Sequence, residues 1–243
     1  MRYPLKIGSL GLALAAMLLL GAIATGVASA AKFEAKPGFP VKFTGKGGVG
    51  LLETKSGKSV TCTSAEASGE VSGATAVANV SVLFKGCFAE HLSTELFPCT
   101  TAGKASGEIS TNTIVGKPVN LDTLGVQVGL LLEASSGTFA EFTCKSTKPQ
   151  IPVEEKLTVT GEVIGQFKTT QLKEFRKSLN LEFVQASGVQ AWTQIEGGGT
   201  QYFLETAGEG ALKFGPEQSG VGEAVAGETT TTAAGEAELK VVP

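Results

Sequence analysis

Four cysteines, Cys62, Cys87, Cys99 and Cys144, are the residues of this chain whose type and spacing most directly imply chemistry. Their number is even and none stands in a C-x-x-C metal or redox spacing, so the chemistry is oxidative pairing into two disulfides. Four cysteines allow three connectivities. The expected one joins Cys87 to Cys99, clamping a short loop, and Cys62 to Cys144, linking equivalent strands of a repeated passage. Chain-entropy reasoning gives the short bridge about 3 kcal/mol. Other reactive side chains are scarce. His91 is the only histidine and Asp122 the only aspartate, so a Ser-His-Asp triad would need this one pair, and neither a His-rich zinc site nor a D-x-D-x-D-G calcium loop can be built. Glu154 with Glu155 or Glu205 with Glu209 are candidate paired carboxylates for glycoside hydrolysis, and such a pair must face across a cleft of about 5–9.5 Å. Trp192 and Tyr202, with Gln190, Gln194 and Gln201 beside them, form the candidate ligand-binding patch, a polar-aromatic surface for a glycan or peptide. His91, between Cys87 and Cys99, would sit on a presented loop. No catalytic residue, metal ligand or cofactor is assigned, and the expectation is a non-enzyme.

The chain opens with Arg2 and Lys6, continues through an apolar run from Ile7 to Gly26 and reaches Ala28-Ser29-Ala30. That order of charge, apolar core and small residues reads as a signal peptide over 1–30, cleaved after Ala30. An extracytoplasmic protein follows, secreted or held at the cell envelope, with no integral membrane segment after signal removal. The formal charge of −3 becomes −5 once Arg2 and Lys6 are gone, and the remaining charges are scattered. Nucleic acid is excluded as a partner on that ground. A cell-envelope component or a small molecule stays open as partner.

The elements that must hold these residues read as strands. Short alternating runs broken by Gly, Ser, Thr and Pro recur along residues 31–243, with no sustained 3.6-residue period. Leu157, Val159, Gly161 and Val163 alternate with Thr158, Thr160 and Glu162; Ala65, Ala67, Gly69 and Val71 alternate with Glu66, Ser68 and Glu70. Further strands are expected at 41–44, 77–84, 126–134, 140–145, 179–185, 189–195, 201–206 and 237–242, with a hairpin loop at Glu196–Gly199 and a loop over 171–178. The fold class is therefore all-β: an antiparallel two-sheet sandwich or closed barrel of a dozen or more strands in a single domain, 31–243. A passage occurs twice. Val49-Gly50-Leu51-Leu52-Glu53, Cys62 and Gly69-Glu70-Val71-Ser72-Gly73 return as Val128-Gly129-Leu130-Leu131-Leu132-Glu133, Cys144 and Gly161-Glu162-Val163-Ile164-Gly165. This predicts two related halves, about 41–116 and 126–243, sharing one core. The Gly-Glu-aliphatic step, seen also at Gly107-Glu108-Ile109 and Gly222-Glu223-Ala224, reads as a bend or bulge with a charged solvent face.

Leu52-Glu53-Thr54, Val60-Thr61-Cys62, Phe84-Lys85-Gly86-Cys87, Pro98-Cys99, Gly107-Glu108-Ile109, Phe139-Ala140-Glu141-Phe142-Thr143-Cys144 and Gly161-Glu162-Val163-Ile164-Gly165 together resemble a family of uncharacterised exported proteins of high-G+C soil actinobacteria. The resemblance covers nearly all of 31–243 and implies an exported β-rich protein without assigning an activity or ligand. Three readings of function follow in order: a non-enzymatic exported β domain with a binding or envelope structural role, a carrier of a small apolar ligand in a barrel cavity, and a glycan-binding or glycan-acting protein. A filled core favours the first, an apolar void the second and facing glutamates the third.

Overall fold

The computed structural model describes residues 30–91, 95–148, 150, 153–210, 217–223 and 229–243. The expected signal peptide, through residue 29, lies outside them, as do 92–94 in the Cys87–Cys99 segment. Among the described residues there are nineteen strands and one short 3-10 turn, Thr169–Gln171, inside the stretch read as a loop.

In chain order the strands begin with β1 (Lys32–Lys36), β2 (Val41–Gly47), β3 (Gly50–Thr54), β4 (Ser59–Cys62), β5 (Ser64–Gly73), β6 (Ala76–Lys85), β7 (Phe88–His91) and β8 (Glu95–Thr100). They continue with β9 (Ile109–Ser110), β10 (Ile114–Asn120), β11 (Val128–Lys145), β12 (Glu154–Phe167), β13 (Ser178–Glu182), β14 (Gln185–Ala186) and β15 (Val189–Gln190). The last four are β16 (Leu204–Gly210), β17 (Glu217–Glu223), β18 (Thr229–Ala233) and β19 (Glu238–Val242).

All pairings are antiparallel, and eight strands close on themselves in the order β10-β11-β12-β13-β18-β2-β5-β6. The architecture is a closed barrel rather than a sandwich. Closure removes the unpaired edges that an open sheet of this size would expose. Four staves come from residues before 121 and four from residues after 127, so both ends of the chain enclose one interior. Six other strands of the same sheet, β8-β7-β4-β3-β17-β16, run as a second arc from the far half of β11 to the near half of β12, and the short β9 pairs with β6. The separate ribbon β1–β19 packs Phe33, Leu239 and Val241 into the core, with Phe33 edge-on to Phe167 at 6.0 Å.

The long hairpin β11–β12 belongs to both arcs because it bends. Its register shifts between Glu133 and Ala140, where Gly137 takes φ +84, opposite Gly161 at φ +94. A Cβ on Gly161 would lie 2.3 Å from the Phe203 carbonyl oxygen, so glycine is required there. Gly161 is exposed at this bulge instead of continuing the Leu157–Val159 face. Beyond the bend, Val128 to Leu132 are five consecutive buried residues. Alternation disappears because both faces are covered. Leu130 and Leu132 face the barrel interior, while Leu131, with Val119 and Ile164, lies under Leu121, Trp192, Ile195 and Tyr202 on the outside.

The repeated passage folds in two ways. Gly57 at φ +80 closes the β3–β4 hairpin, and Gly137 at the matching station bends β11 without reversing it. The first copy is thus split over β3, β4 and β5, whereas the second runs through β11 and β12. The separate strands expected at 126–134 and 140–145 are both parts of β11.

The cystine connectivity corrects the sequence expectation. The bonds are Cys62–Cys87 and Cys99–Cys144, with Cα–Cα separations of 4.0 and 3.9 Å. The strand registers place the four cysteines in one rung across β4, β7, β8 and β11. Had Cys87 paired with Cys99, the two outer cysteines would be three strand spacings apart, about 14 Å. That exceeds the roughly 7 Å limit for a disulfide. Only Cys62–Cys87 together with Cys99–Cys144 oxidises all four thiols between neighbours.

Candidate functional site: an apolar cavity in the barrel

The barrel interior is not filled. An apolar cavity of about 220 Å³ lies inside it and extends toward the second arc. Its origin is a strip of small inward residues on adjacent staves: Gly45 and Gly47 of β2 lie opposite Ala67 and Ala65 of β5. Eight strands set an interior just wide enough for ordinary side chains to fill. Glycine and alanine at four facing positions leave part of it vacant. One step along, Phe43 reaches over Gly69, where a Cβ would meet the ring's Cζ at 2.7 Å and Val80 Cγ2 at 2.9 Å. The packing is therefore tight at that level and loose at the next. The exposed Gly48 is part of the lining, so the cavity reaches the surface at the Gly47–Gly50 link between β2 and β3.

Among the described residues no charged side chain lines this space, and Thr111 is the hydroxyl-bearing residue of the lining. Thr111 is 8% exposed. Its backbone N–H donates to the Val82 carbonyl (2.9 Å) and its Oγ1 accepts from the Val82 N–H (3.0 Å). These bonds anchor the β9–β10 junction to β6 and leave the hydroxyl proton without an acceptor among the described residues. The rest of the wall is aliphatic or aromatic, including Phe43, Phe84, Phe139, Phe142 and Phe183. Such a surface holds apolar matter and gives water no hydrogen-bonded place.

The residues singled out from sequence occupy other places. Trp192 and Tyr202 come together against Val119, Leu131 and Ile164, sealing the outer wall of the barrel. Gln190 is buried and donates through Nε2 to the Val184 carbonyl (3.0 Å), whereas Gln194 and Gln201 are exposed. The Glu196–Gly199 loop is fastened by the Glu196 N–H donating to the Asn120 carbonyl, and Asn120 Nδ2 donates to Glu196 Oε2 (3.1 Å). Asp122 accepts from the Val126 and Gln127 N–H groups at 2.9 and 3.1 Å, shaping the β10–β11 tip. Its role there is a turn cap. The side chain of His91 is outside the described set; its backbone lies in the β7–β8 hairpin opposite Glu95.

Neither glutamate pair faces across a cleft. Glu154 is exposed and bonds Lys145, while its neighbour Glu155 is fully buried on the opposite face of β12. Glu205 and Glu209 are exposed four residues apart on β16, about 13 Å along an extended strand. The carboxyls that the fold does bring together are Glu133 and Glu162, opposite each other on the outer face of the bent hairpin. Burial, followed by the hydrogen bond and repulsion from Glu133, pushes the Glu162 carboxyl above the ordinary carboxylate range, and Lys117 opposes this.

Sequence reasoning missed the cavity wall and Thr111. The available signal was four small residues at inward positions of two strands, Gly45, Gly47, Ala65 and Ala67, but their facing each other depends on a pairing between strands that are not consecutive. Among the described residues no helix is long and apolar enough to cross a membrane, and no group of three or more His, Cys, Asp or Glu is placed to hold a metal. Compared with family models, curated proteins and solved structures, the chain matches none of them.

Proposed function

We propose that this protein binds a small apolar molecule inside its barrel, outside the cytoplasm, and performs no chemistry on it. The observation that carries the reading is the unfilled interior: about 220 Å³ of apolar space, made by facing glycine and alanine residues and open at the Gly47–Gly50 link. A void in a core costs stability in proportion to its volume. A ligand that fills it restores the lost contacts, and burial of its apolar surface drives association. An engineered void of about 150 Å³ takes up benzene, about 25 Å³ per carbon, so this one suits a molecule of about nine non-hydrogen atoms. Two cystines favour an oxidising compartment, in keeping with export. The glycan reading has less support because the inner faces of Trp192 and Tyr202 are engaged with the barrel wall.

The test is solvent extraction of protein purified natively from its host, followed by gas chromatography and mass spectrometry. A stoichiometric neutral compound is expected in the wild type and absent from Ala67→Leu, whose side chain occupies part of the space. Extracts of the two proteins that cannot be told apart, together with no uptake of added indane by stripped wild-type protein, overturn the reading.

A further inference from the structure

We infer that Thr111 sets the ligand class: a neutral molecule carrying a hydrogen-bond acceptor, such as a ketone, ester or ether, in preference to a pure hydrocarbon or an ionised acid. This rests on the barrel being a binding site and adds which group within it reads the ligand.

The argument follows the hydroxyl. Thr111 is more than nine-tenths buried, lines the cavity and already uses its Oγ1 as acceptor for the Val82 N–H. A hydroxyl has one proton to donate besides the lone pairs it offers. No described group accepts that proton, and the rest of the described wall is apolar, so the cavity is the direction in which an acceptor can meet it. A buried donor left unmade is costly, and a ligand oxygen placed against it removes that cost. The bond from Val82 also holds Oγ1 in place, so little ordering remains to be done when a ligand arrives.

Exclusion of charge is equally specific. An ionised carboxylate entering this space would lose its hydration and find no lysine, arginine or histidine among the described lining residues. Fatty acids in their ionised form are thereby rejected, while an esterified or ketonic molecule of the same girth is accepted.

Three rigid probes separate these ideas: indane, 1-indanone and indane-1-carboxylate, titrated at pH 8 into stripped, oxidised full-length protein by calorimetry. Wild type is expected to bind 1-indanone at least as tightly as indane and to show no uptake of the carboxylate. In Thr111→Val the affinity ratio of 1-indanone to indane should fall about ten-fold or more, because the carbonyl is then buried without a donor. Thr111→Ser, which keeps the hydroxyl, should retain the wild-type ratio and guards against a folding defect in the valine variant. A ten-fold preference of wild type for indane, equal ratios in wild type and Thr111→Val, or uptake of the carboxylate overturns the assignment to Thr111 while leaving the cavity as a binding site. Failure of wild type to bind either indane or 1-indanone overturns the binding site itself.

Discussion

Replacing Ala67 by leucine asks directly whether the space inside the barrel is real, because the sign of the stability change depends on it. Ala67 points inward from β5, opposite Gly45, into the cavity. Leucine adds three carbons, about 75 Å³ at 25 Å³ per carbon, a third of the 220 Å³ vacant. Burying them stabilises by about 2.4 kcal/mol at about 0.8 kcal/mol per methylene. Ordering the side chain offsets about 0.5–1 kcal/mol. The net expectation is a gain of about 1.5–2 kcal/mol, or about 3–8 °C in Tm for a domain of this size. In a filled core the same substitution would overpack and cost about 1–3 kcal/mol. Gly69→Ala, one inward step away, serves as the opposite case, since its Cβ would meet Phe43 Cζ at 2.7 Å and Val80 Cγ2 at 2.9 Å. Thermal unfolding of the oxidised, ligand-stripped proteins by circular dichroism should raise Tm for Ala67→Leu and lower it for Gly69→Ala. A fall in both would refute the cavity and the function built on it.

Other consequences can be checked in parallel. Removing Cys99–Cys144 as a double alanine variant should cost about 4 kcal/mol and removing Cys62–Cys87 about 3.5 kcal/mol, from loops of 45 and 25 residues; guanidinium unfolding measures both, and a non-reducing peptide map containing a Cys87–Cys99 link would contradict the rung. Gly161→Ala should cost about 2 kcal/mol or more, since φ is +94 and the new Cβ meets the Phe203 carbonyl oxygen at 2.3 Å; an unchanged denaturation midpoint would remove the reason given for the glycine. The raised carboxyl of Glu162 gives a pH test. A group whose folded pKa lies above its unfolded value contributes stability at low pH and loses it as pH rises through the folded value. Glu162→Gln should therefore match wild type at pH 4 and exceed it in Tm as pH climbs past the ordinary carboxylate range; a Tm difference that stays constant from pH 4 to 7 would contradict the raised Glu162 carboxyl.

The strands of this protein are legible where one face is wet. Leu157 and Val159 alternate with polar neighbours because β12 has solvent on its other side there, and the strand follows from period two alone. At Val128–Leu132 the period vanishes, since the Trp192–Tyr202 segment covers the outer face, and nothing local in the sequence announces that cover. The repeated passage shows the same limit from another side. Its glycines at 57 and 137 share a left-handed backbone, yet one reverses the chain and the other only bends it, because the flanking strands find different partners. The disulfide expectation failed for a related reason: spacing shows which cysteines are near in sequence, while the rung depends on β8 pairing with β11, 44 residues further along the chain from Cys99's neighbour Thr100 to Cys144. The cavity is hidden most deeply. Alanine at 65 and 67 marks an inward face in the sequence, but the absence of a large residue opposite is a property of β2 and β5 taken together.

The stave β18, between β13 and β2, and the ribbon strand β19, against β1, come from the last fifteen residues, 229–243. A polypeptide produced N-terminus first therefore holds β1 unpaired, and β2 with β5 on one side alone, until residues 229–243 follow. Assembly resembles a cask that keeps one gap until the final plank is driven home, and its slow step should be that late docking of distant ends. Clipping the tail would then spoil the whole vessel and not merely shorten it.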